Sequence, residues 1–167
     1  VVVGEYAKMG KEIKITTIPY EFKGFMGMRN FVMETTDGKK LAWANTNWTY
    51  LTISTGIPTR LTPADTDNYV LGEKMEMDYA PRKIKLPENM IVQEAFTVQK
   101  HHLDTNHHVN NCQYVCMAED FLPESFKIYQ MRAEYKMQAK LGDVICPKVK
   151  TETDKVVVSL DNIEGKA

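Results

Sequence analysis

Histidine is scarce and confined: all four, His101, His102, His107 and His108, lie in the stretch "HHLDTNHHVNNCQYV", and nothing else in 167 residues carries an imidazole. Cysteine is almost as rare. Cys112, Cys116 and Cys146 form no CxxC pair, and an odd number excludes a fully paired disulfide framework. That usage suits a reducing compartment, so a cytoplasmic location is expected. No apolar run approaches the ~20 residues that a membrane-spanning helix requires, so no membrane span is expected. An excess of either charge is missing too, with 21 Lys and Arg against 22 Asp and Glu. This balance excludes bulk nucleic-acid binding, which needs a basic surface to neutralise phosphates. Low-complexity tracts, internal repeats and a signal peptide are also absent from the sequence. The chain opens on Val1 and stops at the turn-like "NIEGKA", where another strand is due, so it is expected to continue at both ends.

What is present is enough for a core. At 43% hydrophobic and 26% charged residues, the composition is that of a globular domain. The first third alternates as strands do: in "KEIKITTI", Ile13 and Ile15 share one face and Lys14 and Thr16 the other. Asp37-Gly38 supplies a hairpin turn between two long β-prone runs, in which Trp43, Trp48 and Tyr50 favour a half-buried surface. Gly24 and Gly27 mark a bulge or a close backbone approach. From residue 54 to about 90 prolines punctuate the chain, and "TPADTDNYVLG" reads as a short helix with Thr62 as N-cap, Pro63 at its first position and Gly72 as terminator. The pattern restarts with a strand at "IVQEAFTVQ". After the histidine loop comes a helix, "NNCQYVCMAEDFL", with Asn110 as N-cap, Gln113 completing a capping box, and an apolar stripe of Tyr114, Val115, Ala118, Phe121 and Leu122. Three strands follow, "FKIYQMRAEYKMQA", "DVICPKVKTE" and "KVVVSLDN", the first with Tyr129, Met131, Ala133, Tyr135 and Met137 on one face. The fold class expected is α+β, with an antiparallel sheet wrapping one helix.

The histidine loop is where chemistry is expected. It runs into a helix start, whose N–H groups and dipole attract negative charge and would stabilise an oxyanion there. Asp104 lies just upstream and is able to attack a carbonyl carbon or to take a proton from a water that does. Asn106 and His108 are placed to orient the acid, the water or the leaving group. Plainer readings compete. An Asp before a helix is commonly a cap or turn residue, Asn106 is a turn former, and His101, His102 and His107 are expected to be solvated. Four histidines and one carboxylate also suggest a divalent metal, but adjacent His-His pairs diverge and no HExxH is present. Cys112 and Cys116, spaced i, i+4, are expected to pack as small apolar residues.

"LDTNHHVNNCQYV" resembles the active-site motif of acyl-acyl-carrier-protein thioesterases, which reads roughly LDxNxHVNNxxY. Leu103, Asp104, Asn106, His108, Val109, Asn110, Asn111 and Tyr114 all match. "GMRNF", the Asp-Gly turn, a Trp-containing strand, "TRL" and "EYKMQAKLGDVI" agree in order, so the likeness covers nearly the whole chain.

The resemblance implies two hot dog domains in tandem, each a curved antiparallel sheet around a helix. Residues 1–60 would be the later strands of the first, incomplete hot dog, residues 61–90 a linker, and residues 91–167 the second hot dog with the motif. It implies hydrolysis of the thioester between a fatty acyl chain and the phosphopantetheine arm of acyl carrier protein, with water as acceptor and no metal or cofactor. Asp104 would be the carboxylate at the thioester, with Asn106 and His108 holding the assembly. The family often carries a Glu where this chain has Gln138, which can orient a water but not take its proton, and a Cys where this chain has Ala139. Basic residues Arg82, Lys83, Lys85, Lys136 and Lys140 offer themselves to an acidic carrier protein. Two rival functions remain: a hot dog thioesterase acting on acyl-coenzyme A, and a non-catalytic module that binds acyl chains or acyl carrier protein. A homo-oligomer is left open.

Overall fold

The computed structural model describes residues 1–166, and the chain divides into two compact units. The first comprises Val1–Arg82 with Ile128–Arg132; the second comprises Lys83–Lys127 and the chain from Ala133 on.

The first unit is a four-stranded antiparallel sheet in the order β1-β4-β3-β2, from β1 (Val2–Val3), β2 (Ile13–Lys23), β3 (Met26–Thr35) and β4 (Lys40–Thr49). Its two hairpins follow from the glycines. Gly24 has φ 64 and is followed by Phe25 without a positive φ, the pattern of a type II′ turn joining Lys23 to its partner Met26. Gly38, at φ 87, turns the chain between β3 and β4. Gly27 allows a close approach: a Cβ there would lie 3.2 Å from the Phe22 ring. Pro19 sits in edge strand β2 at a register shift, where a missing N–H is tolerated. Trp43 is half-buried as expected, whereas Trp48 stays 57% exposed.

The proline-rich stretch forms only one turn of helix, α1 (Pro63–Thr66), whose start is fixed by the Thr62 N–H donating to Asp65 at 2.8 Å. Gly72 does not terminate it. The helix ends at Asp67, and Gly72 instead lies flat against β2, donating to the Pro19 carbonyl at 2.8 Å. A Cβ on Gly72 would sit 2.5 Å from Ile18 Cγ2, so the residue is needed for close approach. The segment after it is pinned to β3 by Asn30, which is fully buried and accepts the Met75 N–H at 3.1 Å.

The second unit is built on β7 (Val144–Thr151). β8 (Val156–Asp161) pairs along one edge, and β5 (Ile91–Val92) and β6 (Phe96–Thr97) pair in succession along the other. The strand expected at "IVQEAFTVQ" is thus interrupted. Ile91 faces Val149 and Phe96 faces Ile145, a slip of one residue across Gln93–Ala95. Pro147 explains the interruption. Its carbonyl accepts the Gln93 N–H at 2.9 Å, so its missing N–H faces the same edge, and a bulge is where a strand accommodates that loss.

Helix α2 (Asn111–Glu119) covers this sheet. Val98, Val109, Met117 and Ile145 form the core, with Phe96, Leu103, Tyr114, Ala139 and Leu160 packed against it. Met117, 6% exposed, is the deepest side chain of the helix, and its burial contributes about 1.5–3 kcal/mol. The stripe expected from sequence leaves it out. Cys112 and Cys116 depart the other way: both are exposed, because the core-facing arc is taken by the larger Tyr114 and Met117.

The strand expected over "FKIYQMRAEYKMQA" does not form as a ladder. It makes one bridge, Gln130 opposite Val2, with Met131 and Val1 bonded N–H to carbonyl at 2.8 Å. From 132 to 138 no strand pairs with it among the described residues. Tyr129, Tyr135 and Met137 consequently remain 67%, 47% and 49% exposed.

Candidate active site

The motif folds as a closed loop between β6 and α2. Beyond β6 a single 3-10 turn, Lys100–His102, forms around the His102 ring, whose Nδ1 accepts the Gln99 N–H at 2.9 Å. His102 is therefore half-buried rather than solvated; burial, and then the neighbouring His101, hold its pKa below the ordinary imidazole value. His101 and His107 are exposed. Leu103 and Val109 then pair as an isolated antiparallel bridge, which closes residues 104–108 into a loop.

Asp104 is the hub of that loop. Its N–H donates to the His108 carbonyl at 2.8 Å, and its carbonyl accepts the His107 N–H at 3.1 Å. Its Oδ1 accepts the main-chain N–H of Asn106 at 2.8 Å and that of His108 at 3.3 Å. The reversal places His107 at φ 60. Oδ2 accepts no hydrogen bond among the described residues. Asp104 thus is a turn former and still presents an oxygen for chemistry. Asp104 and His108 are half-buried, while Asn106 is exposed. Asn106 and His108 hold the carboxylate through their backbones; their side chains are left for other work.

Asn110 ends the loop and starts the helix. Its N–H donates to the His102 carbonyl at 2.9 Å, and its side chain accepts the Cys112 N–H at 2.8 Å. The N-cap is as expected, but the capping box does not form: the Asn110 side chain takes the Cys112 N–H instead of that of Gln113, and the Asn110 N–H that Gln113 would take is given to the His102 carbonyl. Of the first-turn donors, Cys112 and Gln113 are satisfied by Asn110, and the Asn111 N–H has no acceptor among the described residues. The helix start is therefore a single open donor rather than several.

Gln138 is exposed, and its backbone neighbour is tied to the loop. The Ala139 carbonyl accepts the Val109 N–H at 2.9 Å, and the Ala139 N–H donates to the Tyr114 hydroxyl at 2.8 Å. The fold brings Asp104, Asn106 and His108 together in one loop and delivers Gln138 alongside through the main chain. Sequence reasoning passed over Tyr114 and Tyr135. Tyr135 donates to the Asn111 carbonyl at 3.2 Å, and its ring centre lies 6.0 Å from that of Tyr114. Burial pushes both phenols up in pKa. The signal was available, since Tyr114 belongs to the motif and Tyr135 to the apolar alternation upstream of Gln138.

Among the described residues no three His, Cys, Asp or Glu side chains converge as metal ligands would, and no helix is long and apolar enough to cross a membrane. What this stretch offers is a held carboxylate in the loop that leads into an open helix N–H, residue types suited to addition at a carbonyl carbon.

Comparison with known proteins agrees with this geometry. Residues 84–165 match the family model described as the acyl-ACP thioesterase C-terminal domain. Among solved structures, the chain is similar to an acyl-ACP thioesterase from Bacteroides thetaiotaomicron, with TM-score 0.83 and 20% identity over 99% of this chain and 69% of that one. It is also similar to the 12:0-ACP thioesterase from Umbellularia californica, with TM-score 0.75 and 16% identity over 96% of this chain and 67% of that one. The chain therefore spans about two thirds of the length of each, and at these identities the likeness establishes the α+β, hot dog type of fold. No curated protein sequence matches. Residues 84–165, which contain the whole Asp104 loop, therefore match the acyl-acyl-carrier-protein thioesterase C-terminal domain, and the chain as a whole shares the fold of those thioesterases.

Proposed function

We propose that the protein hydrolyses the thioester of fatty acyl-acyl carrier protein, releasing the fatty acid and ending chain elongation. The observation that carries this reading is Asp104. One of its oxygens is held by two main-chain N–H groups and the other is unengaged, a loop away from the open Asn111 N–H. The carboxylate takes a proton from water as the water oxygen adds to the thioester carbon. The oxyanion of the tetrahedral intermediate is met by the open Asn111 N–H at the helix start, and its collapse breaks the C–S bond. The proton then passes to the departing thiolate, so acid and thiol leave and the carboxylate is regenerated. Direct attack by Asp104 through an anhydride gives the same products with the same residue. The His108 and Asn106 side chains bind the water or the carbonyl, and Gln138 orients the water without taking its proton. Residues 91–167 serve as the hot dog domain that carries the site. The three cysteines are free, which fits a reducing, cytoplasmic setting.

The test is release of free thiol from acyl carrier protein loaded with a series of fatty acyl chains, with the matching acyl-coenzyme A thioesters in competition. Faster release from the carrier protein is expected for at least one chain length. Preference for coenzyme A would move the substrate class, and binding of acyl carrier protein without thiol release would make this a binding module.

A further inference from the structure

We propose that Tyr114 and Tyr135 are positioning residues that together fix Gln138 beside the Asp104 loop; this deepens the thioester-hydrolase reading and rests on it. Residues 133–138 have no ladder to hold them among the described residues. Glu134 accepts the Ile84 N–H at 2.8 Å near the start of this segment, and a pair of bonds that cross in opposite directions fastens the rest to α2. Tyr114, on α2, accepts the Ala139 N–H of the segment at 2.8 Å, and Tyr135, on the segment, donates to the Asn111 carbonyl of α2 at 3.2 Å. The rings lie against each other, with centres 6.0 Å apart and planes at 52°. A third bond, from the Val109 N–H to the Ala139 carbonyl at 2.9 Å, ties the same anchor to the residue after His108.

Gln138 lies between these anchors, with Tyr135 before it and Ala139 directly after. Its side chain is exposed and makes no hydrogen bond among the described residues, so only its backbone fixes its place. A water-orienting amide works only if its position is set in advance, since a shift of about 1 Å can lower a rate by up to ~100-fold. Tyr114 is half-buried against the core cluster of Val98, Val109, Met117 and Ile145, which anchors one end of the clasp. Burial pushes both phenols further up in pKa, so the Tyr135 O–H is a donor throughout the neutral range.

The test is a double-mutant cycle in the whole protein between Tyr114→Phe and Gln138→Ala. Tyr114→Phe keeps the ring in the core and removes the acceptor of the Ala139 N–H. Alone, it is expected to lower kcat about 10-fold with KM little changed, and in the Gln138→Ala background to lower it hardly further. Tyr135→Phe, whose ring is more exposed, is expected to follow the same pattern and serves if Tyr114→Phe folds poorly. Equal effects in both backgrounds, or no effect on kcat, would overturn the assignment. A second readout does not depend on turnover. The Ala139 amide is expected to lose hydrogen-exchange protection in Tyr114→Phe, and the Gln138 side-chain amide resonances to shift. Unmoved Gln138 resonances would sink the clasp even in an active enzyme. Loss of hydrolysis in the wild type with the resonances shifting as expected would sink the thioesterase reading and leave the clasp standing.

Discussion

Single residues decide more here than their neighbours suggest. Asn30 is one: it is fully buried in β3, its amide donates to the Ala44 carbonyl at 3.3 Å, and its oxygen accepts the Met75 N–H. The Tyr79 hydroxyl lies 3.2 Å from that oxygen and 2.7 Å from the Met75 carbonyl, so its one proton goes to the nearer carbonyl. Asn30→Ala is expected to destabilise the protein by about 1–3 kcal/mol in urea unfolding, because buried donors lose their partner. Little change would mean that water replaces the amide. His102 is another. Burial keeps the folded-state pKa of its ring below the unfolded value of ~6.5, so stability is full above that value and falls as pH drops through it towards the lower folded value. His102→Gln retains an acceptor for the Gln99 N–H and is expected to flatten this decline, as followed by thermal melting between about pH 7 and about pH 5. An unchanged slope would assign the decline to other groups. None of this was legible in sequence. Asn30 looks like any polar residue in a strand, and one histidine of four does not announce that its ring is folded back on its own turn.

At the scale of elements, local pattern was legible wherever a neighbour was close in sequence. The alternation of "KEIKITTI", the turn at Asp37-Gly38 and the Asn110 cap all depend on residues a few positions apart, and all stand in the structure, whereas Gly24, expected at a bulge or close approach, makes the β2–β3 turn. The failures are non-local. Residues 126–139 alternate like a strand, but a strand exists only with a partner, and from 132 on none pairs with it among the described residues. The β5–β6 break was hidden because Pro147, its cause, lies some fifty residues further along the chain. Gly72 was read as a helix stop, although its contact is with Ile18. The site shows the same division: the Asp104 loop could be read from its motif, but the route by which Gln138 arrives could not. The cap gives a test at this scale. Asn110→Ala removes the acceptor of the Cys112 N–H and is expected to cost about 1 kcal/mol. Because the same residue joins loop to helix, hydrolysis should fall by more than the lost stability explains. A stability loss with unaltered kcat would show that the helix start is not part of the site.

For the whole molecule, exposed charge is expected to play a small part in stability and the loop a large part in the proposed hydrolysis. Net charge is −1, and the pairs Lys39–Glu5, Lys155–Glu152 and Lys166–Glu164 are exposed on both sides. Raising salt from about 0.05 M to about 0.5 M is therefore expected to change unfolding stability by under ~1 kcal/mol, because surface pairs contribute little and are already screened. A larger loss in calorimetry would point to a charge network that these pairs do not reveal. The proposed hydrolysis rests on the carboxylate of Asp104, and one comparison isolates it. Asp104→Asn leaves an oxygen to accept the Asn106 and His108 N–H groups, so the loop should stay closed while the charge and the basic oxygen are lost. Measured on a fatty acyl-acyl carrier protein, with folding checked by circular dichroism, hydrolysis is expected to fall by about 10²- to 10⁴-fold. A folded Asp104→Asn protein that still releases fatty acid at nearly the wild-type rate would contradict the account.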